Sequence, residues 1–157
     1  MNNVQINITP MTLEDIDEVI KIEHASFTVP WSKESFESEI KNNKHAIYIV
    51  VKQENKVIGY GGMWKIFEEG HITNVAIHPD FRRKRIGSAL MEAMIKTAVD
   101  NEITLLTLEV RESNIPAQRL YSKFGFEVVG KRKNYYADNN EDALIMNVEL
   151  RMQNAQL

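Results

Sequence analysis

Residues 74–98 constrain the chain most, because they join a short apolar strand to four successive cations and then to an amphipathic helix. Val75-Ala76-Ile77 reads as strand, and His78-Pro79-Asp80 ends it. Arg82, Arg83, Lys84 and Arg85 follow, then Ile86-Gly87-Ser88. Ile86, Ala89, Leu90, Ala93, Met94 and Ala98 recur at helical spacing, one apolar stripe against one core. The first amides of such a helix have no intrahelical partner, and the aligned peptide dipoles place partial positive charge there. A strand feeding a cationic turn that opens a helix is therefore a place to hold phosphate. Taken alone, the run 82–85 also fits a solvated loop or a nucleic-acid-binding patch.

The charge balance bears on that choice. The net charge is −3, so the basic block is a local feature of a mildly acidic chain. A general nucleic-acid binder spreads phosphate-neutralising charge over a whole face, so no direct nucleic-acid contact is expected. With 157 residues, 43% hydrophobic and 26% charged, the chain suits one globular domain, 1–151, followed by a polar tail, 152–157. The absence of cysteine excludes disulfides, thiolate metal sites and a cysteine nucleophile. The longest apolar run, 46–51, is too short to span a bilayer, and 1–4 lacks a charged-then-apolar signal pattern. A cytoplasmic location with no membrane contact is the expectation.

Taken in order, Val4, Ile6 and Ile8 alternate as a strand ended by Thr9-Pro10. Thr12 is suited to cap a helix whose apolar face is Leu13, Ile16, Ile20 and Phe27, broken at Val29-Pro30-Trp31. Ser32 caps a second helix over 33–42, with Phe36 and Ile40 inward. Strands follow over 46–52, 57–67 and 71–77; Gly59, Gly61 and Gly62 predict a bulge or a close approach in the second. Beyond the central helix, 104–110 is a buried strand, and Ser113 or Asn114 caps a helix closed by Gly125. The last strands, 126–129 and 143–150, are joined by a polar loop through Tyr135-Tyr136 and Asp138-Asn139-Asn140. The order β-α-α-β-β-β-α-β-α-β-β predicts an α/β fold: a mixed sheet of about seven strands with helices on both faces.

Residues 75–87 resemble the acetyl-CoA motif of the GCN-related N-acetyltransferases (GNAT superfamily), and Leu108-Glu109-Val110-Arg111, Asn114 and 120–126 resemble their next block. Pro30-Trp31-Ser32, 132–136 and Glu141-Asp142-Ala143 are similar to the RimI-type ribosomal-protein-alanine N-acetyltransferases. The resemblance implies the acyltransferase fold just described. It implies an enzyme using acetyl-CoA and no metal, and an acceptor that is a protein N-terminus: the N-terminal alanine of small-subunit ribosomal protein eighteen. The family loop runs Gln or Arg, two residues, Gly, one residue, then Gly or Ala. Arg82 and Gly87 fit, whereas Arg85 stands at the first glycine. If that position is left-handed, a non-glycine there costs about 1 kcal/mol.

By the same resemblance, Val75, Ala76 and Ile77 hold the thioester carbonyl and the pantetheine arm. Arg83, Lys84, Arg85, Ile86, Gly87 and Ser88 hold the diphosphate, and Arg82 and Asn114 also touch the cofactor. Acetyl transfer needs a neutral amine, a stabilised oxyanion and a proton for the leaving thiolate; the amine pKa of about 8 and the thiol's of about 8.5 make both proton transfers modest. Glu109 lies on the strand face opposite Leu106, Leu108 and Val110, where an ion pair with Arg111 or a lysine is the plain reading; the resemblance makes it the base, acting through a bound water. Tyr121 belongs to an apolar stripe with Ala117, Leu120 and Phe124, so packing is its plain reading; the resemblance makes it the acid. Asn114 also reads as an N-cap. Trp31, Tyr135 and Tyr136 are assigned to the acceptor groove, although single aromatics are often packing residues.

The four histidines show no metal-ligand spacing, and His71 and His78 are placed on opposite faces of one strand. With no nucleophile motif, direct transfer in a ternary complex is expected. A basic acceptor tail suits Glu34, Glu37, Glu39, Asp138, Glu141 and Asp142, which also read as solvated faces. Two alternatives stay open: the same chemistry on a small amine or a lysine side chain, and a non-catalytic acyl-CoA-binding module.

Overall fold

The computed structural model describes residues 5–82 and 85–150. Seven strands and four α-helices follow one another in the expected order: β1 Asn7–Pro10, α1 Ile16–Ser26, α2 Lys33–Asn42, β2 Ala46–Gln53, β3 Lys56–Ile66, β4 Glu69–Ile77, α3 Ile86–Asp100, β5 Leu105–Arg111, α4 Ile115–Lys123, β6 Glu127–Tyr136 and β7 Glu141–Glu149. Short 3-10 turns at Leu13–Asp15 and Pro79–Phe81 precede α1 and α3. The strands form one mixed sheet, ordered β1-β2-β3-β4-β5-β7-β6. The described residues divide into two compact units: 5–64 with 73–82 and 85–94, and 65–72 with 95–150.

In the first unit, β1, β2 and β3 pair antiparallel, with a register shift at Val51/Lys52. Their core joins Ile16, Val19 and Ile22 of α1 to Phe36 of α2 and to Tyr48, Val50 and Tyr60 of the sheet. The apolar face of α1 is thus rotated from the sequence expectation. Leu13 and Phe27 are exposed, and Val19, Ile22 and Glu23 are buried instead. The helical period starts only at Ile16, because Leu13–Asp15 is a tighter turn that shifts the phase. Ser32 caps α2 as expected, its hydroxyl accepting from the Ser35 amide at 3.1 Å. The β3 glycines make room for the protein's own side chains: a Cβ at Gly61 would run into Met94, and one at Gly62 into the Tyr48 ring. Val4 lies outside the described residues.

In the second unit, the first residues of β4 pair parallel with β5, from Glu69↔Leu105 to His71↔Thr107. β7 pairs antiparallel along β5, from Leu105↔Glu149 to Arg111↔Ala143. Leu106, Leu108 and Val110 point into the core and Glu109 to the other face, as the alternation required. The strand expected to end at Val129 runs on through β6 to Tyr136, so Tyr135 and Tyr136 are strand residues rather than loop residues. β6 is the edge of the sheet and mostly exposed, so it shows none of the alternation that marks a half-buried strand. Gly125 closes α4 with a φ of 93°.

Candidate active site

The second unit gathers the titratable groups. Glu109 sits on β5 with its side chain only 9% exposed, and both carboxylate oxygens are engaged. Oε1 lies 2.7 Å from His71 Nε2, and Oε2 accepts from Arg132 Nε at 3.3 Å. The His71 contact follows from the parallel register: His71 pairs with Thr107, and Glu109 is the next residue along the same face. A carboxylate offers about four lone-pair positions, so two remain for an amine or a water. The pairing with Arg111 considered from the sequence does not form. Arg111 binds both Asp138 oxygens at 2.9 Å and Glu141 at 3.2 Å, and its guanidinium lies 4.0 Å from the centre of the Tyr136 ring.

Three tyrosines accompany this pair. Tyr136 packs edge-on against Tyr135, with ring centres 5.1 Å apart. Burial pushes the Tyr136 phenol up to about 12 against the opposing pull of Arg111. Burial and the Glu109 charge also raise Tyr135. Tyr121 is buried on α4 against Phe126; burial, with a smaller contribution from Tyr136, pushes its phenol up to about 12. Its hydroxyl has no hydrogen-bond partner among the described residues. A phenol so placed stays protonated at neutral pH, as a proton donor must.

Asn114 caps α4, its Oδ1 accepting from the Ala117 amide at 3.2 Å, which realises the capping reading.

The first unit carries the expected cofactor segments. Val75, Ala76 and Ile77 end β4. Arg85 has a φ of 65°, the left-handed backbone for which the family loop uses glycine, and its carbonyl accepts the first helical bond of α3, from Ala89 at 3.1 Å. The amides of Ile86, Gly87 and Ser88 precede that bond, at the positive end of the dipole. Arg82 is committed within the fold: Nε donates to the Ile77 carbonyl at 3.0 Å, and a terminal nitrogen donates to the Ser26 hydroxyl at 3.0 Å. Arg83 and Lys84 lie outside the described residues. Trp31 packs on Phe36 with ring centres 5.3 Å apart, at the edge of the core.

The acidic patch read from the sequence is largely spent inside the chain. Glu39 accepts from Tyr48, Trp64 and Asn43, Asp138 and Glu141 bind Arg111, and Asp142 accepts from the Asn134 amide. Sequence reasoning missed His71 and Arg132 as partners of Glu109, because pairing register across strands leaves no local signal. Among the described residues no three His, Asp or Glu side chains cluster as metal ligands, and no helix is long and apolar enough to cross a membrane.

The model of the acetyltransferase (GNAT) family matches residues 16–126 of this chain. The chain belongs to the GNAT acetyltransferase family. Members of that family take acetyl from acetyl-CoA, and this chain is an acetyltransferase. It is 47% identical over 136 residues, 87% of the chain and 90% of the relative, to a Bacillus subtilis (strain 168) protein provisionally named a ribosomal protein bS18-alanine N-acetyltransferase. It is 31% identical to the enzyme of that name from Escherichia coli K12, over 92% of this chain and 98% of the relative. The crystal structure of the ribosomal-protein-S18-alanine N-acetyltransferase from Escherichia coli superposes with a TM-score of 0.87 at 30% identity, covering 98% of this chain and 99% of that one. Ard1 from Thermoplasma volcanium superposes with a TM-score of 0.84 at 27% identity, over 93% and 98% of the two chains.

Proposed function

We propose that this acetyltransferase transfers acetyl from acetyl-CoA to the α-amine of a protein, and that its acceptor is the N-terminal alanine of ribosomal protein bS18. The acceptor assignment is carried by the relatives named for that substrate, which align with 87% and 92% of the chain. The chemistry is carried by Glu109, a mostly buried carboxylate with lone pairs to spare, held by His71 at 2.7 Å. An α-amine with a pKa near 8 is mostly protonated at neutral pH, so it must lose a proton before it attacks. Glu109 takes that proton, directly or through one water, and His71 fixes the orientation of the carboxylate. The amine nitrogen bonds to the thioester carbonyl carbon, the C–S bond breaks, and Tyr121 gives its phenolic proton to the departing thiolate. The second proton, shed by the new amide nitrogen, restores the phenol, while Glu109 releases the first to solvent.

Val75, Ala76 and Ile77 align the thioester arm, and the opening turn of α3 with Arg85 takes the diphosphate. The left-handed path at Arg85 supports this, because it gives the loop the turn that glycine gives in the family pattern. In this reading Arg82 braces the loop through Ile77 and Ser26. In the second unit, the Asn114 amide nitrogen, which bonds to nothing among the described residues, is that side chain's second contribution, toward the cofactor, and Tyr135 and Tyr136 contact the acceptor. In the first unit, Trp31 is the acceptor-contacting aromatic. Incubation with acetyl-CoA and a panel of acceptors tests the reading: an alanine-initiated bS18 peptide, the same peptide blocked at its α-amine, spermidine and a lysine-containing peptide. Acetylation of the free-amine peptide alone is the expected result. Preferential acetylation of spermidine or of the blocked peptide's lysines would replace it with the small-amine or side-chain reading.

A further inference from the structure

One carboxylate outside this chemistry is buried without a cation. Glu23, in the last turn of α1, is 1% exposed, and no cation pairs with it among the described residues. It is satisfied by three neutral donors from three other parts of the first unit. The Trp31 amide donates to Oε2 at 2.9 Å, the Tyr60 hydroxyl to Oε1, and the Asn74 side-chain amide reaches Oε1 at 3.4 Å. Burial, reinforced by the Glu23 charge, raises the Tyr60 phenol strongly, so Tyr60 remains a donor. Asn74 Oδ1, also buried, has no partner.

The arrangement is a poor way to stabilise a core. Apolar residues of similar volume are often as stable as buried charged groups, and an unmatched buried acceptor adds a further cost. What the carboxylate does and an apolar residue could not is hold a backbone amide in the turn between α1 and α2, where Pro30 supplies no amide of its own. The Trp31 amide is therefore fixed from α1, and the same carboxylate reaches Asn74, the residue preceding Val75 on β4.

We propose that Glu23 is a positioning residue for acceptor binding: it sets the Trp31 turn, and so the Trp31 ring, relative to β4. This rests on the assignment of Trp31 to the acceptor groove. The functional element is the hydrogen-bond acceptor at Oε2, and the negative charge is incidental. Glutamine can keep that acceptor toward Trp31 and turn its amide toward Tyr60 and Asn74 Oδ1, whereas methionine cannot.

The test is steady-state kinetics with the alanine-initiated peptide, varying peptide and acetyl-CoA separately. Glu23→Met raises KM for the peptide about tenfold while kcat and KM for acetyl-CoA stay within about twofold, and Glu23→Gln restores the peptide KM to within about twofold. Glu23→Asp withdraws the acceptor by one methylene and gives an intermediate rise, carrying the test if the methionine variant does not fold. Tyr60→Phe removes a donor but leaves the Trp31 bond, so it lowers stability without moving the peptide KM. A second readout needs no turnover: with Trp64→Phe, Trp31 is the only tryptophan, and its fluorescence becomes more quenchable by acrylamide in the Met and Asp variants but not in the Gln variant. An unchanged peptide KM in both the Met and Asp variants, or a rise matched by Tyr60→Phe, overturns the proposal. If the parent enzyme acetylates no peptide at all, the functional reading fails, and the fluorescence comparison still decides whether Glu23 holds Trp31.

Discussion

Replacing Glu109 with glutamine separates a base from a surface ion pair. Glutamine has the same shape, and its carbonyl can still accept from His71, 2.7 Å away in the parent enzyme. The lost partner is Arg132, whose side chain is 55% exposed and returns to solvent, so the fold should lose less than about 1 kcal/mol. The chemical cost is larger. About one-tenth of an α-amine with a pKa near 8 is neutral at pH 7, and a general base contributes about 10²–10⁴-fold. Because that amine needs little driving force, the lower end applies, and kcat/KM for an alanine-initiated peptide should fall about 10²-fold at pH 7. Without a proton acceptor the variant depends on amine that is already neutral, so the deficit should narrow about tenfold between about pH 7 and pH 9 as the amine titrates. The assay is thiol release measured across that range, with melting curves run on the same samples. A deficit under threefold, or one that keeps the same size at every pH while the melting temperature holds, would refute the assignment of Glu109 as base.

Three further outcomes follow from the geometry. Tyr121→Phe should lower kcat about 10²-fold with little change in melting temperature, because the hydroxyl makes no hydrogen bond among the described residues; with the phenol pushed up to about 12, the parent enzyme should show no loss of this acid between about pH 7 and pH 10. Arg85→Gly removes about 1 kcal/mol of left-handed strain and adds a similar entropy to the unfolded chain, so stability should change little, and isothermal titration should find acetyl-CoA affinity within a few-fold; a hundred-fold loss would mean that the Arg85 guanidinium itself grips the diphosphate. Burial acts to raise the Asp15 carboxyl, but Lys52 at 2.9 Å and the Thr12 amide and hydroxyl outweigh it and hold it below its usual 3.8. A depressed carboxyl stabilises the fold above its unfolded value and loses that contribution as pH falls through its folded value. Asp15→Asn should therefore cost about 1–2 kcal/mol in urea melts at pH 7, a gap that closes below about pH 3.8.

The order of helices and strands was legible in the sequence because each carries its own local signal. Ser32 and Asn114 announce helix starts, Gly125 a helix end, and the spacing of Ile86, Leu90, Met94 and Ala98 a buried stripe. The candidate base was legible as a strand residue of opposite phase to Leu108 and Val110, and its role came with the family motif. Relations between segments were not legible. Nothing near His71 in the chain indicates that β4 lies parallel to β5 in the register that brings it to Glu109. Glu23 looks like one more acid on an amphipathic helix until the 3-10 turn before α1 rotates it inward. β6 was cut short because an exposed edge strand needs no apolar alternation. The acidic residues read as a field for a basic acceptor are mostly paired with Arg111, Tyr48 and backbone amides, so charge alone does not explain acceptor choice.

The most direct measurement is the mass of intact, unmodified ribosomal protein bS18 after incubation with this enzyme and acetyl-CoA, followed by fragmentation. One added acetyl group, on the α-amine of the N-terminal alanine, is the predicted result. An unchanged mass with active enzyme, or an acetyl group found only on lysine side chains, would contradict the account.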